Sequence, residues 1–317
     1  MKKDFKNVNI YDVFHDECKE DGFWHCFVFI SRETQKILFD LLQKPRENLC
    51  YYNFIHFGDI GRKYKNNNPK ARLIRSWCSI LLYSIQQQKI EAQLYLGHKN
   101  NKPIYELMKN GEDRIANKLI IFRVKNARQD MYDSMNEIKK IETTFRMGIK
   151  GGTHFLFPDK KISIGNVYID SSKKAFEENF NSNNILERFK IESNKNIFFE
   201  DDSKIIPINK KDYKKNETIS EFMQLTDILV GGIRTQKLRM IDFPARYEAT
   251  FQFKNLLEKE TENFARMAKS RYSKGFALSD AFIKNNKWEF ENMHIDFNKG
   301  NQQMLPMFYP PFSGKTL

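Results

Sequence analysis

The strongest constraint on the fold lies in the first 31 residues. NVNIYDVFHD is rich in β-formers, KEDG supplies turn residues, and FWHCFVFI is a dense aromatic and β-branched run. Together they spell a β-hairpin whose two strands are destined for a core, with Asp16 and Glu17 at the end of the first strand. SRETQKILFDLLQK then offers Ser31 as an N-cap and Ile37, Leu38, Leu41 and Leu42 at helical spacing, so a short amphipathic helix is predicted. The opening therefore reads β-β-α.

Whether such a hairpin finds a core depends on composition. Apolar residues are 40% of 317, with 28 Phe and 13 Tyr, enough to fold a chain that is 29% charged. The length suits one large domain with an extension, or two small ones. Lys and Arg number 53 against 40 Asp and Glu, a net charge of +13, and that bias favours polyanionic partners, nucleic acid first. Cys18, Cys26, Cys50 and Cys78 form no CxxC pair and no zinc-finger spacing, which argues against both a disulfide scaffold and a zinc finger. No run of 18 apolar residues and no signal-peptide pattern occurs. The expectation is a cytoplasmic protein with reduced thiols and no membrane partner.

Further along, NFIHF (53–57) reads as a short strand, ARLIRSWCSILLYSIQQQ (71–88) as an apolar helix, and EAQLYLG (91–97) as another strand. The stretch 111–148 reads mainly as helix, with FRMGIKGG as its glycine stop. KISIGNVYIDSS is a β-like run that stops at Asp170. KNIFFEDDSKIIPI is a second strand, interrupted by Glu200, Asp201 and Asp202. ISEFMQLTDILVGGIRTQ (219–236) is helical, with Met223, Ile228 and Leu229 for the core and Gln224, Asp227 and Gly231 together on another face. From about residue 244 the sequence reads as a long basic helix or helix pair running through FALSDAFI, then an extended Pro-rich tail.

Carboxylates thus stand at strand ends and on a late apolar helix: Asp16 with Glu17, Asp170, and Asp227. Oxygen ligands of this kind, drawn from separate elements, suit a pair of magnesium or manganese ions about 3.5–4 Å apart acting on a phosphodiester. Each acid also has a plain structural reading. Asp16 and Glu17 are turn residues, Asp170 an N-cap for SSKKAFEENF, and Asp227 the wet side of its helix.

The order of these elements, with the opening FHDECKEDG and the helix segment QLTDILVGGIR, resembles the domain of unknown function 3800 family, whose fold is similar to ribonuclease H. In that family a DE pair usually followed by Ser-Gly opens the chain; here Cys18 and Lys19 stand in place of Ser-Gly, and Thr226 replaces a small residue in the late motif. The resemblance covers roughly residues 8–236. It implies a metal-dependent nuclease, plausible in antiphage defence, with Asp16, Asp170 and Asp227 as ligands of two Mg2+ or Mn2+ ions and Glu17 as the next ligand. It also implies Asp202 as a ligand or a group behind one, and Lys204 as a phosphate contact.

Binding would fall to basic runs. Arg62, Lys63, Lys65, Lys70, Arg72 and Arg75 make one cluster, Lys210, Lys211, Lys214 and Lys215 a second, and Arg266, Lys269, Arg271 and Lys274 a third; each reads equally as solvated surface. Tyr64 and Tyr272 lie within such runs, where they could stack on unpaired bases. His56 is either a proton shuttle beside the acids or a histidine satisfied at a strand edge, and His15 points to the opposite face of its strand from Asp16. His154 reads as a loop residue. No dinucleotide fingerprint, nucleophile elbow or HExxH motif is present, and the terminal SGKT lacks the strand and helix of a phosphate loop.

The expectation is an α/β protein: a ribonuclease H-like mixed sheet flanked by helices over 1–240, then a helical extension and extended tail over 241–317. Its partners would be RNA or DNA, with a protein partner or a second copy also possible. The alternative is a non-catalytic module that binds nucleic acid or a partner.

Overall fold

The computed structural model describes residues 9–20, 22–61, 68–86, 121–127, 137–157, 161–170, 182–191, 197–209, 217–257, 276–284 and 287–292. Its frame is the hairpin, β1 (Asn9–Cys18) and β2 (Phe23–Ser31), antiparallel with Tyr11 opposite Ser31 and Cys18 opposite Trp24. Gly22, at φ 114°, takes the left-handed backbone that the return turn requires. β3 (Ile121–Ala127) pairs antiparallel with the far side of β2. On the other side of β1 lies β4 (Ile162–Asp170), parallel to it. β5 (Ile197–Phe199) and β6 (Ile205–Ile208) both run parallel to β4, β5 along its first half and β6 along its second. The acidic interruption expected there is a tight turn, in which Ser203 Oγ donates to the Ile164 carbonyl.

Both faces of the sheet are covered. α1 (Gln35–Leu49), α2 (Pro69–Gln86) and α5 (Glu217–Lys237) bury one face around Phe14, Trp24, Cys26, Val28 and Ile30. α3 (Glu137–Leu156) and α4 (Ser182–Ile191) bury the other around Val13, Phe27, Phe29, Phe145 and Phe189. The alternation of Val13 and Phe14, or Phe27 and Val28, between the two cores is the period of a pleated strand. The result is an α/β fold built on a mixed open sheet.

Several expectations change. Ser31 is not a cap: β2 extends through it, and α1 starts at Gln35 after Thr34. The segment 53–57 is not a strand. It enters a single 3-10 turn (Phe57–Asp59), its amides being taken by side chains of α5 rather than by a neighbouring strand. Within 111–148, residues 121–127 form β3, as the alternation of Phe122 and Val124 with Arg123 and Lys125 suits. α3 runs through Gly151 and Gly152 instead of stopping at them. Glycine in this helix serves close approach, since a Cβ on Gly148 would stand 2.1 Å from the Phe27 ring. The segment 91–97 lies outside the described residues.

The largest correction concerns the end of the chain. Short helices α6 (Pro244–Ala249) and α7 (Lys254–Leu257) are present, but FALSDAFI is strand, not helix. β7 (Phe276–Lys284) joins β3 in parallel, and β8 (Lys287–Asn292) pairs antiparallel with β7. Among the described residues the sheet therefore has eight strands, ordered β5-β4-β1-β2-β3-β7-β8, with β6 also on β4. Phe276 and Leu278 enter one core and Ala277 the other. A strand buried on both faces loses the polar alternation that separates it from a helix in sequence.

Candidate active site

Asp16 and Asp170 are neighbours by register. Phe14 pairs with Tyr168 and His15 with Ile169 along the parallel β1 and β4, so one further step brings Asp16 beside Asp170 at the carboxyl ends of two adjacent strands. The side chains of Phe14 and Tyr168, two residues earlier, stack at 5.0 Å in the core beneath α5, which puts both acids on that face. Cys26, opposite Asp16 on β2, has its thiol pushed up by burial and then by the charge of Asp16. Both carboxylates are buried, and Asp16 Oδ1 accepts the Glu17 amide at 2.8 Å. Carboxyl ends of parallel strands are where open α/β sheets gather ligand-binding groups.

The third acid arrives on α5. Phe222 meets Phe14 edge-on at 5.2 Å, and twelve residues later Arg234 Nε donates to the Glu20 carbonyl at 3.1 Å. Twelve helical residues advance about 18 Å, and the four strand steps from Phe14 to Cys18 about 13 Å before the turn that holds Glu20, so α5 runs alongside β1 in the same direction. Asp227 follows Phe222 by about 7.5 Å, and Asp16 follows Phe14 by about 6.6 Å. Asp227 is thus level with Asp16.

Asp227 also organises the loop after α1. Its Oδ2 accepts the Phe57 amide at 2.7 Å and lies 2.9 Å from His56 Nδ1. One helical turn earlier, Gln224 Oε1 accepts the Ile55 amide at 2.7 Å. Alternate amides of an extended segment point the same way, so a Gln and an Asp three apart on a helix can hold both. Gly231, the next turn, leaves space for the Phe57 ring, which would lie 2.1 Å from a Cβ there. The spacing of Gln224, Asp227 and Gly231 is therefore a clamp that sets His56, 49% exposed, beside the acid.

Two arginines line the same end. Arg246 donates to the carbonyls of Gly58 and Ile60 and lies over the rings of Phe57 and Phe243. Partial burial lowers its pKa, the charges of Glu20, Cys18 and Asp227 opposing that shift and Arg234 adding to it. Arg234 is tied to Glu20 at 2.8 Å. Neither arginine stood out in the sequence; Arg234 had a signal, since seven residues after Asp227 is the same helical face.

Other expected residues are elsewhere. Glu17 alternates to the opposite face of β1, where its Oε2 lies 3.9 Å from His25 Nδ1, and His15 is on that face too, against Phe27 and Phe145. Asp202 and Lys204 are exposed at the start of β6, where Lys204 accepts the Val167 amide. That is about 10 Å back along β4 from Asp170. The charge of Asp202 acts instead on Arg32, the partner of Asp12 at 3.0 Å. Lys70 Nζ is bound to Asp59 Oδ2 at 2.9 Å. Arg62, Lys63, Lys65 and Arg271 lie outside the described residues, as do the clusters at 210–215 and 266–274, Tyr64 and Tyr272.

Asp16, Asp170 and Asp227 offer only carboxylate oxygen, the donor set of magnesium and manganese. Compared with protein-family models and with curated proteins, the chain shows no match.

Proposed function

We propose that this protein is a divalent-metal-dependent nuclease that hydrolyses phosphodiesters of RNA or DNA, with a ribonuclease H-like core. The feature that carries the proposal is that strand register and helix spacing set Asp16, Asp170 and Asp227, from β1, β4 and α5, toward one face at the strand ends. Strand order supports it: β3-β2-β1 antiparallel, continuing into parallel β4 and β5, is the arrangement a ribonuclease H-like core calls for. Bound Mg2+ or Mn2+ would supply Lewis-acid charge to the phosphoryl oxygens. The chain's own groups would do the rest. Asp227 orients His56 through Nδ1, making Nε2 the proton-exchanging atom. Arg246 and Arg234 bring positive charge to an end of the sheet where the acids alone would repel a phosphate.

The test is cleavage of labelled single- and double-stranded RNA and DNA with magnesium, with manganese and with chelator, beside Asp16→Ala and Asp227→Asn. Chelator-sensitive cleavage that both substitutions abolish is expected; cleavage that survives Asp227→Asn would overturn the assignment. One observation favours a second reading, a nucleic-acid- or partner-binding module: Asp227 already holds the Phe57 amide, a structural duty. On that reading Asp227→Asn changes neither cleavage nor binding. The setting in antiphage defence is part of the proposal and rests on the family resemblance.

A further inference from the structure

A second group of ligating side chains lies on the other side of the sheet. β1 and β2 pair Glu17 opposite His25 and His15 opposite Phe27, so His15, Glu17 and His25 project onto one face, away from Asp16. His15 Nε2 is 3.1 Å from His25 Nδ1, and Glu17 Oε2 is 3.9 Å from His25 Nδ1. One ligand atom from each of the three lies within 4.8 Å of the other two; among the described residues no other trio of His, Cys, Asp or Glu does so. The three residues are 1%, 4% and 0% exposed respectively. Their surroundings are aromatic: His15 contacts Phe27 and Phe145, and His25 stacks between Phe23 and Phe27.

A carboxylate and two imidazoles in an aromatic enclosure are costly to bury unless their charge is matched. The observed spacings also suit an ion. Bonds of about 2.0–2.1 Å to a tetrahedral zinc separate neighbouring ligand atoms by about 3.4 Å, a value between the two measured distances. We propose that His15, Glu17 and His25 bind one transition-metal dication of the zinc class, a site separate from the carboxylates of Asp16, Asp170 and Asp227. Two imidazole nitrogens and one carboxylate oxygen select zinc over magnesium, which prefers oxygen throughout. The ion cross-links the strands of the opening hairpin beneath α3. Since all three ligands are enclosed, it enters as the hairpin and α3 close together, so loading accompanies folding.

The test is to refold the full chain in zinc, in cobalt or in magnesium, dialyse, and measure retained metal, with the visible absorption of the cobalt form as a second readout. About one zinc per chain is expected, together with a tetrahedral cobalt spectrum. Zinc content is expected to survive Asp16→Ala and Asp227→Asn and to be lost in His25→Phe, a replacement that suits the aromatic surroundings. A well-folded wild type that retains no zinc and gives no cobalt spectrum overturns the site. So does zinc retained by His25→Phe, or lost in Asp16→Ala. Should His25→Phe fail to fold, the wild-type cobalt spectrum decides alone. No outcome here depends on nuclease activity, so the site stands or falls apart from the proposed function.

Discussion

Asp227 holds the Phe57 amide and, in the proposed function, would also ligate metal, and substitutions can part the two. Asparagine keeps an oxygen able to accept the Phe57 amide but loses the charge, so Asp227→Asn is expected to cost only about 1 kcal/mol in urea unfolding while removing metal-dependent cleavage. Asp227→Ala strands the buried amide as well and costs about 1–3 kcal/mol. His56 is half exposed, and its Nδ1 lies 2.9 Å from the Asp227 carboxylate. His56→Ala is therefore expected to lower kcat about 10²–10⁴-fold with melting temperature nearly unchanged, as single-turnover kinetics and a thermal melt would show. A fall in stability without a fall in kcat would make the histidine structural. At this scale the candidates Asp16 and Asp170 were legible as acids that end apolar runs, and Asp227 as an acid on an apolar helix; His56 had an equal structural reading. Arg246 was not, because its place depends on a loop folded against it from 186 residues earlier in the chain, at Ile60.

Among the elements, α5 carries the most polar structure within a core. Arg46 on α1 is fully buried and ion-paired with Glu221 at 2.7 Å, and it also donates to Gln224 Oε1 and to the carbonyls of Tyr51 and Asn53. Its guanidinium lies over Trp77 of α2. Removing one member of such a pair leaves a buried charge without its counterion, so Glu221→Ala is expected to destabilise by about 3–5 kcal/mol, measurable by urea unfolding. Gly231 belongs to the same element. A methyl group there must displace the Phe57 ring, and Gly231→Ala is expected to cost about 1–3 kcal/mol and to disturb His56, lowering cleavage out of proportion to stability. β1, β2, β4 and α5 were legible because their periodicity is local. β3 and β7 were not: their strand character is settled by pairing with β2 and with each other across long sequence separations.

For the whole molecule, the sheet continues past the segment that a helical reading placed at the end of the chain. β7 supplies the partner for β3's outer edge, and truncation after Leu257 strips it away. The truncated chain is expected to aggregate or lose cooperative unfolding, since an exposed strand edge pairs with other chains; size-exclusion chromatography and a thermal melt would check this. A truncated protein that stays monomeric and as stable as the full chain would make β7 and β8 dispensable. The net charge of +13 acts at the same scale. Nucleic-acid affinity is expected to fall steeply and log-linearly with salt, as counterion release requires, in filter binding of the cleavage-deficient Asp227→Asn chain.

By itself the sequence determined whatever follows from neighbours in the chain. It set the hairpin, the strand that stops at Asp170, the acid on an apolar helix, and the alternation that sends His15 and Asp16 to opposite faces. Tertiary structure alone decided what depends on distant partners. It made 53–57 a loop by offering Gln224 and Asp227 to its amides, and carried α3 through two glycines. It turned FALSDAFI into a strand by covering both its faces, and it brought His15, Glu17 and His25 within ligand distance. The physical reason is that a strand's period is readable only while one face stays wet, and a side chain's partner only when it lies within a few residues.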